Sequence, residues 1–201
     1  MGKLITFLTF FLISVQLKAQ DVAILNSIEN TNSKIKTFEA DLANTNIKPK
    51  KTTFQEGKLL FVAPKKFSAQ FTSGKYMIVN ENRIKANIGM FHGTFRLREG
   101  GMIRSLSNVF LYGFQGRIRD LANENGYTLS TKTENGFHIV IGTIKKKSLL
   151  GVGFQQVFFK YYTDSLLLKE IVLYDYNGNK DIYTISNVKY DVAVDKSKFE
   201  F

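Results

Sequence analysis

From residue 53 onward, apolar and polar positions alternate with a period of two, the signature of β-strands. Segments 53–62, 66–72, 76–80 and 83–88 carry this pattern, separated by Pro64, Ser73-Gly74 and Glu81-Asn82. Upstream, Val22, Leu25, Ile28 and Ile35 fall near helical spacing, which predicts one amphipathic helix ending around 34–37 and then a first strand over 38–45. Between 100 and 123 the period becomes helical again: Ile103, Leu106, Val109 and Phe110 form one stripe, and Arg117, Ile118 and Leu121 resume it after Gly113 and Gly116. Two short helical pieces with a hinge are expected there. Strands return over 127–131, 138–144, 154–162, 166–174 and 181–190, with Asn125-Gly126, Asn135-Gly136 and Asn177-Gly178 as hairpin signals. The expected class is mainly β with α: an antiparallel meander of about ten strands that curls, with an N-terminal helix and one helical interruption.

Several strands are apolar on both faces, among them "KLLFV", "YMIV", "VFFKYY" and "LLLKEIVLY". One face of each must be covered by something other than water, and the helical segments are the available covers. The sequence holds 18 Phe and 9 Tyr against no Trp, so the space beneath the cover is either a ring-filled core or a cavity. On the cavity reading the wall consists of Leu59, Phe61, Phe67, Phe71, Tyr76, Ile78 and Val172, and the helical side of Ile103, Leu106, Phe110 and Phe114. A one-residue error of register would exchange wall and exterior.

The opening "MGKLITFLTFFLISVQLKAQ" pairs Lys3 with an apolar run from Leu4 to Val15 and a small residue at Ala19, the pattern of a cleaved secretory signal over 1–19. A single domain over 20–201 is expected to act outside the cytoplasm. Removing Lys3 and Lys18 takes the formal charge from +11 to 11 − 2 = +9. After export, that charge suits an anionic membrane face or an acidic partner better than nucleic acid. The run Lys145-Lys146-Lys147 reads as a solvated turn. Cysteine is absent, which removes disulfides, thiolate ligands, cysteine nucleophiles and a lipid-modified cysteine anchor together.

Candidates for catalysis are thin. His92 and His138 are the only histidines and lack metal-ligand spacing. Glu39, Asp41 and Glu56 make a glycosidase pair only if one of them sits in an apolar setting that raises its pKa. Gly100-Gly101 and Gly151-Val152-Gly153 lack the Lys-Ser/Thr that phosphate binding demands, and no serine lies in a GxSxG elbow.

Five segments in order carry a resemblance: "FEADL" after the first helix, "EGKLLFVAPKKFSAQF", "YMIVNENRI", "LYDYNGNKDIYTISNVKYD" and the terminal "VDKSKFEF". Together they span nearly the whole mature chain and resemble the LolA family of periplasmic lipoprotein carriers. The resemblance implies a mainly β fold with α, an incomplete, half-open antiparallel β-barrel of about 10–11 strands whose N-terminal helix and inserted helical lid cover an apolar cavity. It also implies a non-enzymatic carrier without cofactor. Its partners would be acylated lipoproteins, an inner-membrane ATP-driven transporter that releases them, and an outer-membrane acceptor. No dimer signal stands out, so a monomer is expected. In members resembling this chain an arginine before the strand-ending proline bonds to the helical cover; here that position is Ala63, before Pro64, so that lock does not carry over. Lys65 and Lys66 lie just beyond. A carrier of another lipid or polyene intermediate, and a periplasmic docking scaffold, are the alternative readings.

Overall fold

The structure is a computed structural model that describes residues 21–88, 91–97, 102–144 and 153–200. The expected signal over 1–19, the Lys145-Lys146-Lys147 run, Gly100-Gly101 and Gly151-Val152 lie outside the described residues.

Eleven strands form one sheet: β1 (Thr37–Lys48), β2 (Lys51–Val62), β3 (Lys66–Phe71), β4 (Tyr76–Asn80), β5 (Arg83–Ile88), β6 (Phe91–Arg96), β7 (Thr128–Glu134), β8 (Phe137–Thr143), β9 (Phe154–Tyr162), β10 (Leu168–Asp175) and β11 (Lys180–Tyr190). Their order is β6-β5-β4-β3-β2-β1-β11-β10-β9-β8-β7, antiparallel throughout. Two meanders therefore meet where the first strand pairs with the last, and β6 and β7 end the sheet without closing it. Helix α1 covers residues 21–32. Helices α2 (Met102–Gln115) and α3 (Ile118–Asn125) are inserted between β6 and β7, and the chain ends in a 3-10 turn at Lys196–Phe199.

The sheet has two distinct faces. Directly paired residues share a face, so Phe38, Phe61, Phe67 and Val79 form one row across β1 to β4. That row faces the helices, since Phe38, Phe61 and Phe67 all meet the ring of Phe114 on α2. Across the other half Val140, Phe159 and Ile171 continue the face, and all three are fully buried. Helix α1 adds Leu25 and Ile28 to the same core, while Val22, expected on its apolar side, is half exposed.

Three differences from the expected elements have local causes. Helix α2 runs through Gly113 and ends only at Gly116, where φ is +68°. The Arg117 amide bonds to the Tyr112 carbonyl at 3.0 Å and the Gly116 amide to that of Gly113 at 3.2 Å, the paired bonds of a Schellman cap. Asn125-Gly126 is not a hairpin turn but the end of α3, with Gly126 at φ +73° and the Tyr127 amide returning to the Ala122 carbonyl. Leu166, expected in a strand, stands at φ +58° in the turn before β10. Asn135 and Gly136, at φ +51° and +79°, do form the two-residue turn between β7 and β8.

Candidate functional site

Helix α2 lies across the concave face, and its buried stripe is Leu106, Val109, Phe110 and Phe114. The spacing of three and four puts these side chains on one side of the helix, as the apolar periodicity requires. Phe110 packs edge-on against Tyr183 of β11 at 4.9 Å and beside Phe67 at 5.5 Å. Phe114 sits among Phe38, Phe61 and Phe67 at 5.3 to 5.9 Å. The rings of the covering helix thus pack against the centre of the face, and beside Phe114, Asn32 and Ile35 lies a small void of about 10 Å³. That is room for about one water.

Side-chain bonds tie α2 to α3 through Asn125 and Glu124, and among the described residues three further bonds tie it to segments other than α3. At its C-terminal end the Gln115 side chain, nearly buried, donates to the Pro64 carbonyl at 2.9 Å and to the Leu111 carbonyl at 2.7 Å. A helix side chain thus reaches the backbone of the β2–β3 turn, next to Ala63. At mid-sheet the Tyr161 hydroxyl donates to the Gly113 carbonyl at 2.8 Å. Near its start, Arg104 donates to the Leu97 carbonyl at 3.3 Å. Gly113 also lets helix and sheet approach closely, because a Cβ there would stand 2.8 Å from the Phe159 ring.

Burial pushes the Tyr161 and Tyr183 phenols well above the ordinary tyrosine range. Their protonated forms are favoured by the fold, so the stability they contribute is complete below the unfolded value of about 10 and is lost as pH rises beyond it. The urea midpoint is accordingly expected to stay level from neutral pH to about 10 and to fall above it. Tyr161→Phe should cost about 1–2 kcal/mol at neutral pH and make the alkaline fall shallower. An alkaline limb as steep as that of the parent would count against this account of Tyr161.

Of the eleven wall and cover positions expected from sequence, eight turn toward the space between sheet and helix: Leu59, Phe61, Phe67, Phe71, Ile103, Leu106, Phe110 and Phe114. Three do not. Tyr76 and Ile78 pair with Gln70 and Ser68, on the opposite face from Phe67 and Ala69, so Met77 and Val79 occupy the positions assigned to them. Val172 pairs with Phe158 and Ile182 on that outer face, and its neighbours Ile171 and Leu173 are the inward ones. Both strands are apolar on each side, so alternation alone could not set their phase. Part of the outer cover is the C-terminal turn, which packs on β3 and β4 with Phe199 buried and the Asn80 amide on its carbonyl at 3.1 Å.

The carboxylates considered for catalysis lie outside as well. Asp41 accepts from Lys58 at 2.5 Å and from Asn187 at 2.7 Å, which holds its pKa below the ordinary carboxylate value. Glu39 pairs with Lys189 at 3.1 Å, and Glu56 is exposed. None has the apolar setting that a general acid needs. His92 on β6 bonds to Asn87 and His138 on β8 to Thr133, in opposite halves of the sheet. No group of metal-ligating side chains occurs among the described residues. No described helix is long and apolar enough to cross a membrane.

Two polar clefts flank the apolar interior. One, of about 560 Å³, runs on the outer face between the C-terminal segment and the paired charges of Glu39, Asp41, Lys58 and Lys189. The other, of about 630 Å³, follows α2 where it meets the ends of β2 to β5 and is lined by Lys65, Lys66, Arg104 and Arg117.

No family model and no curated protein matches the chain. Solved structures do share its fold. An uncharacterized conserved protein from Thermus thermophilus is 10% identical, with a TM-score of 0.50 over 92% of this chain and 93% of that one. An outer membrane lipoprotein-sorting protein domain from Vibrio parahaemolyticus is 7% identical, TM-score 0.48, covering 90% of this chain and 97% of that one. A LolA superfamily protein from Nitrosomonas europaea is 11% identical, TM-score 0.46, with the same 90% and 97%.

Proposed function

We propose that this chain is a periplasmic carrier that shelters the acyl chains of lipoproteins between its concave face and α2. It would receive them from an inner-membrane ATP-driven transporter and yield them to an outer-membrane acceptor. The observation that carries this reading is the contact between α2 and the sheet. It is ring against ring at Phe67, Phe110 and Phe114, and two side-chain bonds cross it near the helix end, from Gln115 to Pro64 and from Tyr161 to Gly113.

Such a contact suits exchange. An acyl chain is worth about 0.8 kcal/mol per buried CH₂. When it enters beneath α2 it replaces ring contacts with hydrocarbon contacts of the same kind, so the exchange is nearly balanced and reversible. A barrier comes from breaking the polar bonds of α2, not from reacting groups, which accords with the sequence resemblance to lipoprotein carriers and with the export signal expected over 1–19.

Gently purified from its export compartment, the protein should carry acylated polypeptide detectable by native mass spectrometry. Gln115→Leu keeps the side-chain volume and removes the bond to Pro64, so delipidated protein should take up a fluorescent long-chain acyl probe about three to ten times faster. Failure of both proteins to take up any acyl probe would remove the carrier reading.

A further inference from the structure

We infer that the cleft along α2 is a binding site for the anionic head group of an amphiphile whose hydrocarbon lies beneath that helix. The inference rests on the part of the carrier reading that shelters acyl chains beneath α2, and it sets the cargo as a lipid with a phosphate or carboxylate next to its acyl chain, the alternative to an acylated lipoprotein. Four cations line the cleft, Lys65, Lys66, Arg104 and Arg117, against two carboxylates, Glu81 and Glu124.

These charges are unequally available. Both oxygens of Glu124 are already occupied, one by the Asn108 amide at 2.9 Å and the other by the Tyr112 hydroxyl. Burial and that carboxylate push the Tyr112 phenol up to about 12, so it remains a donor. Lys65 and Lys66 have no carboxylate partner among the described residues, and Arg104 spends one nitrogen on the Leu97 carbonyl. Arg117 is held in place by Asp120 at 2.5 Å and by stacking over the Tyr112 ring at 5.3 Å.

The floor of the same cleft is apolar. Leu97 and Leu111 line it and also belong to the buried core, and Gln115, which bonds to Pro64, lies between cleft and interior. A charged rim over an apolar floor that is continuous with the buried core matches the two halves of an amphiphile. A free anion would use the rim only; a neutral lipid would use the interior only.

The test is calorimetric titration of the delipidated full chain with oleoyl lysophosphatidic acid, monooleoylglycerol and glycerol 3-phosphate, in the parent and in Lys65→Ala/Lys66→Ala. Both lysines sit at an exposed or half-exposed turn, so the double variant should fold as the parent does. Lysophosphatidic acid should bind about tenfold more tightly than monooleoylglycerol, and most of that margin should vanish in the double variant and in high salt while the neutral lipid is unaffected. Equal affinity for the two lipids in the parent overturns the head-group site and leaves the carrier reading standing. Glycerol 3-phosphate binding as tightly as the lysolipid overturns it in favour of a site for free anions. No binding of either lipid overturns both.

Discussion

Phe114→Ala is expected to lower the stability of the empty protein by about 3–5 kcal/mol, the range for deleting a buried phenyl ring. The ring is 2% exposed and touches Phe38, Phe61, Phe67 and Phe110, so its loss removes the contact through which α2 meets three neighbouring strands. Those strands are tied to one another by continuous ladders, and the space cannot close by collapse of the sheet. An apolar space of this origin stays dry and accepts hydrocarbon. A long-chain fatty alcohol should therefore raise the melting temperature of Phe114→Ala more than that of the parent, where the ring must first be displaced. At a hundred times its dissociation constant such a ligand returns about 2.7 kcal/mol, a large part of what the substitution removes. A cost below about 1 kcal/mol would mean that the ring cluster does not hold α2.

Most of the half-open sheet could be read from the chain because its outer and inner faces differ in chemistry along β1 to β3. Phe67, Ala69 and Phe71 alternate with Lys66, Ser68 and Gln70, so a single phase fits. The same reasoning failed at Ile78 and Val172, where residues on both sides of the strand are apolar and the deciding fact is a distant one. For β4 that fact is the C-terminal turn, which brings Phe199 onto the outer face more than a hundred residues later in the chain. Local spacing carries no record of such a contact.

Glycine shows a related ambiguity. Asn125-Gly126 and Asn135-Gly136 look alike because each supplies a residue at positive φ, yet the first ends a helix and the second turns a hairpin. What separates them is the helical period before Asn125 and the strand period before Asn135, and the former is short. Gln115 was invisible for another reason: a glutamine at the end of an apolar helix reads as its polar side, and only the proximity of Pro64 makes it a tie to the sheet.

Gly113 and Gly116, three residues apart, should respond very differently to alanine. At Gly116 the backbone stands at φ +68°, and a Cβ would lie 2.7 Å from the Ile28 carbonyl oxygen and 3.0 Å from the Glu29 Cα. Both obstacles are backbone of α1, so α1 must back away, and the left-handed conformation adds about 1–2 kcal/mol for a residue with a Cβ. Withdrawal of α1 would also stretch the 2.8 Å ion pair between Glu29 and Arg119, which ties α1 to α3. A total loss of roughly 3 kcal/mol or more is expected, with the α2–α3 junction opened. At Gly113 the φ is ordinary, and the close atoms are side chains, not backbone: the buried Phe159 ring at 2.8 Å, which must shift, and the Ile171 Cδ1 at 3.3 Å, which need give only a few tenths of an ångström. Alanine there also gains up to about 1 kcal/mol of helix propensity, which offsets part of the crowding. Urea unfolding should thus place Gly116→Ala well below Gly113→Ala. The opposite order would mean that α2 is fixed mainly by its contact with β9 and β10, and that its junction with α3 is not what seats the helix on the concave face.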